Sequence, residues 1–263
     1  MSKNKHLEYK TLSILPMICN QLQPMIKVKD NERRKQYSRM LLSNTVKKED
    51  NKMKNCTLPF PELPDQVPSR GSALTRQVFK KIFLAQGWCF SGEFPNLPKA
   101  VAIISPHTSN IDAWYGFLAL LGLGIRITIF GKNSLFHTPL KPLLEWVGVI
   151  PVNRENPHGL TQEVTEIVQS RDKIWIGMAP EGTRKRANKI RSGFYYIAHE
   201  AQIPIVMFSF DYAEKTIRCL GVFYPTGDYA VDLEKILNLY DGQFSPRNPE
   251  WLALPLQKHW KKP

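Results

Sequence analysis

From residue 72 onward apolar positions recur with two rhythms in turn. In SALTRQVFKKIFLAQG (72–87), Leu74, Val78, Ile82 and Phe83 fall on one helical stripe, Arg76, Lys80 and Lys81 lie off it, and Gly87 ends the pattern. The spacing predicts an amphipathic basic helix that either packs on its own domain or lies at a bilayer interface. Short apolar runs come next, separated by helical patterns: AVAII (100–104), RITIF (126–130), GVIPV (148–152), KIWIGM (173–178), IPIVMFSF (203–210) and TIRCLGVF (216–223). Such alternation predicts a single α/β domain with a largely parallel or mixed central sheet flanked by helices.

Upstream the pattern breaks down. Residues 1–66 join charged stretches to the proline-rich LPFPELPDQVP without sustained amphipathic period, which predicts a basic, disordered extension and linker ahead of a folded domain at 67–263. The formal net charge of +13 is unevenly spread, with thirteen Lys/Arg against five Asp/Glu in residues 1–55. That surplus suits an anionic partner, either nucleic acid or an anionic membrane surface. The extension lacks interleaved aromatics and any reading helix, so no nucleic acid is expected. The longest uncharged apolar run, between Asp112 and Arg126, falls short of the ~18–20 residues needed to cross a bilayer. The four cysteines are scattered without a C-x-x-C pair, which suggests neither a zinc site nor a disulfide framework and suits a reducing compartment.

Chemistry-bearing residues follow the carboxyl ends of the predicted strands: His107 after the first, Lys132 after the second, Arg154 after the third, Glu181 and Arg184 after the fourth. In an open parallel sheet these ends share one crevice, so residues distant in sequence converge there. His107 and Asp112 could not face each other within one helix. With Pro106 before the histidine and Ser109/Asn110 after it, however, His107 sits in a loop and Asp112 in the first helical turn. From there the carboxylate can reach back to one imidazole nitrogen and leave the other free as a base; equally, the pair is compatible with a capped helix that has a histidine nearby. In APEGTRKR (179–186), Gly182 permits close backbone approach and Arg184 offers a planar fork suited to phosphate, though a solvated basic turn would read the same. No G-x-S-x-G elbow offers a seat for a serine nucleophile.

Taken in order and spacing, PHTSNID (106–112), GKNSLFHTPLKPLLEWVGVIPVNR (131–154), PEGTR (180–184) and IPIV (203–206) resemble the four blocks of the lysophospholipid acyltransferase family, the 1-acylglycerol-3-phosphate acyltransferases among them. Pro106, Ser134 and Met207 depart from the residues many members carry there, and resemble a branch of small bacterial-type members. The resemblance implies a glycerolipid acyltransferase-like fold and transfer of an acyl group from an acyl-CoA or acyl-carrier protein thioester to the hydroxyl of a lysophospholipid such as lysophosphatidic acid. It implies His107 as general base with Asp112 orienting it, no acyl-enzyme, and no metal or cofactor. Lys132, Arg154, Glu181, Gly182, Thr183 and Arg184 would hold the acceptor. The protein would act at the cytoplasmic face of the membrane without crossing it. An esterase or thioesterase using the same pair to activate water stays open. Trp114, Tyr115, Phe117, Leu118 and Leu121 either line an acyl-chain groove or pack as ordinary core.

Overall fold

A computed structural model describes residues 60–132, 136–137, 139, 141–142, 145, 148–152 and 157–262. The chain divides into two compact units, Met1–Lys54 and Asn55–Pro263. The first lies outside the described residues, as does the predicted extension up to residue 59; all the described elements belong to the second.

Helix α1 (Ala73–Ala85) begins where the Ser72 hydroxyl accepts the Thr75 N–H and ends before Gly87, whose φ of +78° suits glycine. Then come β1 (Cys89–Ser91), β2 (Lys99–Ser105), α2 (Asn110–Leu123), β3 (Ile127–Lys132), β4 (Val149–Val152), α3 (Pro157–Gln169), β5 (Ile174–Met178) and α4 (Gly193–Glu200). The fold closes with β6 (Ile205–Asp211), β7 (Thr216–Phe223), α5 (Tyr229–Leu239), a 3-10 turn at Pro249–Trp251 and α6 (Leu254–Gln257). All six predicted strands are present within a residue or two. The three-residue β1 was not foreseen, because so short a run has no period to detect.

The seven strands form one sheet in the order β1-β7-β6-β2-β5-β3-β4. Every pairing is parallel except the β6–β7 hairpin, so the sheet is mixed, as expected. Strands covered on both faces should be apolar throughout, and β6 is buried at all its positions. From β2 the chain builds β3, β4 and β5 on one side and then crosses to β6 on the other. That reversal leaves a crevice beyond the carboxyl end of β2.

Three expectations need correction. The predicted stripe of α1 splits: Phe83 is buried, whereas Leu74 is 71% exposed, Val78 45% and Ile82 38%. The helix packs on α2 through the side that carries Phe83, where Phe79 meets Phe117 edge-on and Gly122 admits the backbone at Lys80. A Cβ at Gly122 would lie 2.8 Å from the Phe60 ring and 3.1 Å from the Lys80 nitrogen. The end of the expected linker is also not free: Phe60 is buried edge-on against Phe83 and Phe90, and the Gln66 N–H donates to Asn96. Finally, Cys219 is a buried free thiol whereas Cys89 is disulfide-bonded. Scattered spacing was therefore no argument against a disulfide, which needs proximity in space alone, and that ground for a reducing compartment falls away.

Candidate active site

The site grows out of the end of β2. Its last residue, Ser105, is buried, and the chain then leaves the sheet through Pro106, His107 and Thr108 to start α2. Ser109 is the N-cap: its hydroxyl accepts the Ile111 N–H at 3.1 Å, and the Asp112 carboxylate reaches back to the N–H groups of Ser109 and Thr108, both at 2.7 Å. The same Asp112 oxygen, Oδ2, lies 3.2 Å from His107 Nδ1, although the angle falls short of a well-aligned hydrogen bond. The two readings of the His-x4-Asp spacing are thus not alternatives, since one buried carboxylate both caps the helix and faces the imidazole. The other Asp112 oxygen accepts the hydroxyl of Tyr212, one residue past β6.

Glu181 lies beneath this loop and is buried. Its Oε1 accepts the Ser105 hydroxyl and, at 3.2 Å, the His107 N–H, while Oε2 has no hydrogen-bond partner. Burial pushes this carboxyl above the ordinary glutamate range, and the two donors only partly offset the push. Glu181 therefore braces the histidine loop and does not face the acceptor side, contrary to expectation: the turn that exposes its neighbours directs it inward. Gly182, Thr183 and Arg184 continue outward and, with His107 and Ala179, line a polar pocket of about 300 Å³. Gly182 has φ +65°, and a Cβ there would meet the Arg191 guanidinium at 2.3 Å, so the turn requires glycine. The exposed Arg184 donates to Asn110 in the first turn of α2, tying the two loops together.

On its other side His107 lines a second cavity of about 310 Å³ that is almost wholly apolar. It runs between α2 and the sheet from Asp112 past Gly116 and Phe117 to Leu123, with Phe208, Phe210 and Trp175 among the facing walls. Of the five residues left open between groove and core, Phe117 lines the cavity. Leu118 and Leu121 are buried core, Trp114 is half exposed, and Tyr115 packs on Trp88. The imidazole, 21% exposed, stands where the apolar cavity and the polar pocket meet.

Lys132 ends β3, at the same end of the parallel sheet as the histidine loop; its side chain, like Arg154, lies outside the described residues. Ser105, Asn110 and Tyr212 join the site without having been foreseen. Ser105 carried a faint signal as a polar residue ending an apolar strand, whereas Tyr212, 100 residues from Asp112, carried none.

The fold thus sets an imidazole beside a buried carboxylate, between an apolar chamber and an arginine-bearing pocket. Residues 92–211 match the family model described as Acyltransferase. Among solved structures, the chain is similar to the 1-acyl-sn-glycerophosphate (LPA) acyltransferase PlsC from Thermotoga maritima, at 15% identity and a TM-score of 0.42, over 62% of this chain and 73% of that one. No curated protein matches the sequence.

Proposed function

We propose that the protein transfers a fatty acyl group from an acyl-CoA or acyl-carrier protein thioester to the hydroxyl of a lysophospholipid, with 1-acylglycerol-3-phosphate as the acceptor. One observation carries this reading: His107 borders both an apolar cavity suited to an acyl chain and a pocket where Arg184 offers a guanidinium to a phosphate. With Asp112 on Nδ1, the Nε2 of His107 takes the proton of the acceptor hydroxyl. The oxygen attacks the thioester carbonyl and forms a tetrahedral oxyanion. Its collapse breaks the C–S bond, and the departing thiolate takes the proton from the imidazolium. No bond to the enzyme forms. Because a thioester is already activated, positioning and proton transfer suffice to carry the step.

Attachment to a membrane surface is part of the proposal. Leu74, Val78 and Ile82 are exposed on α1, Ile111 and Trp114 are exposed on α2, and Trp114 donates to Gln86 at the end of α1 at 3.3 Å. Exposed apolar residues on these two helices suit contact with a bilayer that supplies the lipid substrates. Among the described residues no helix is long and apolar enough to cross one.

The test is purified protein with labelled acyl-CoA and a panel of lysolipids in anionic vesicles. Acylated lysophosphatidic acid is the expected product. Free fatty acid without acylated lipid, despite abundant acceptor, would assign hydrolysis instead.

A further inference from the structure

The family-matching segment stops at residue 211, yet the histidine loop is held by chain beyond it. Strand β2 pairs with β6 only as far as Ser105↔Ser209, because β2 then turns away to carry His107. The vacated edge of β6 is filled by a segment near the C-terminus. The Ser245 N–H donates to the Phe210 carbonyl at 3.2 Å, the Tyr212 N–H donates to the Ser245 carbonyl at 3.0 Å, and the Ser209 hydroxyl donates to the Gln243 carbonyl at 2.7 Å. Three residues on, the Asn248 backbone N–H donates to the Thr108 hydroxyl at 3.2 Å and its side-chain amide to the Thr108 carbonyl at 2.8 Å. Between these anchors the Arg247 guanidinium stands 5.7 Å from the centre of the Tyr212 ring.

We propose that Tyr212 is a positioning residue for the His107–Asp112 pair: its hydroxyl holds the carboxylate so that Oδ2 faces the imidazole, and Arg247 and Asn248 hold the tyrosine and the loop in register. This rests on the function proposed above. Asp112 Oδ2 is occupied by two backbone donors and faces His107, so the second oxygen decides the carboxylate's rotation, and Tyr212 is its hydrogen-bond donor. The ring cannot drift, because Trp88 and Phe210 pack against it and Tyr115 lies near. Burial first, then the neighbouring carboxylate, push the phenol far above its ordinary range, with Arg247 opposing; the hydroxyl keeps its proton and must donate. Donation also spreads the negative charge of Asp112 away from His107, whose other charged neighbours are Glu181 below it and Arg184 across the polar pocket.

The test is Tyr212→Phe, with Arg247→Gln as a milder variant. For Tyr212→Phe we expect kcat to fall on the order of 10- to 100-fold with KM for donor and acceptor held, since misplacing a catalytic group acts on the chemical step. The His107 ring resonances, followed by NMR in the free protein, move as the carboxylate changes its orientation. Arg247→Gln moves both readouts in the same direction by less. Wild-type kcat and ring resonances in a folded Tyr212→Phe variant would overturn the proposal, as would a kcat loss matched by lost thermal stability with no change in those resonances. The NMR arm needs no substrate, so absence of acyl transfer in the wild type would sink the functional reading while leaving this one testable.

Discussion

Gly116 offers a direct way to ask whether the apolar cavity holds the acyl chain. It lies one turn beyond Asp112 on α2, and a Cβ built there would meet only the tip of the Phe210 ring, at 3.6 Å. Along the helix, the rise from Asp112 to Leu123 is roughly 16 Å and to Gly116 about 6 Å. A larger side chain at 116 therefore closes the cavity about a third of the way down while leaving the dyad untouched. Gly116→Leu introduces four carbons into that space, and each methylene kept out of an apolar site forfeits about 0.8 kcal/mol. Four displaced methylenes come to about 3 kcal/mol, or roughly 100- to 200-fold in kcat/KM. The assay compares acetyl-, octanoyl- and palmitoyl-CoA with one acceptor: the palmitoyl value should fall by that factor while the acetyl value barely moves. Gly116→Ala serves as control, since it stabilises the helix by up to about 1 kcal/mol and fills almost none of the cavity. An unchanged palmitoyl-to-acetyl ratio in a folded Gly116→Leu protein would mean that the chain lies elsewhere.

Other outcomes follow from the same geometry. His107→Ala should lower turnover by about 100-fold or more at unchanged thermal stability, because the ring is partly exposed and serves no packing role that its loop cannot spare. Arg184→Ala should raise KM for a phosphorylated acceptor by roughly 10-fold or more while leaving KM for the acyl donor alone, a comparison steady-state kinetics makes directly. Asp232, fully buried, accepts from Tyr195, from the backbone and hydroxyl of Thr226 and from Lys235, joining α4 to α5 away from the site. Its removal as Asp232→Ala should cost about 3 kcal/mol of stability with the kinetics of the remaining folded enzyme intact. Burial alone would raise this carboxyl, but those donors outweigh it and hold it below the ordinary aspartate range. Its contribution is therefore complete above the unfolded value near pH 4 and lost as pH falls through the folded one, so the gap between wild type and variant in denaturant melts should narrow on acidification.

The pattern of apolar runs was enough to set the strands, because a sheet covered on both faces demands continuous apolar segments wherever it runs. The loop at His107 was legible for a similar reason: capping is a local requirement, and Ser109 with Asp112 satisfies it within four residues. Glu181 shows where local reading stops. Its motif placed it at a strand's end, but whether a turn residue points into the cleft or beneath it depends on the partner loop, here Ser105 and His107. On α1 periodicity showed a two-sided helix without saying which residues find a neighbour; the small Gly122 and the ring of Phe60 settled that for the side of Phe79 and Phe83.

Local rules of backbone and side chain thus wrote the elements, the cap and the dyad into the order of residues. Three-dimensional packing alone decided that an apolar chamber would open under the imidazole, that Tyr212 would reach Asp112, and that a segment near residue 245 would fill the edge β2 abandons. The contacts of Tyr212 with Asp112 and of Asn248 with Thr108 join positions 100 or more residues apart, and neither stretch contributes a periodic or compositional trace of them.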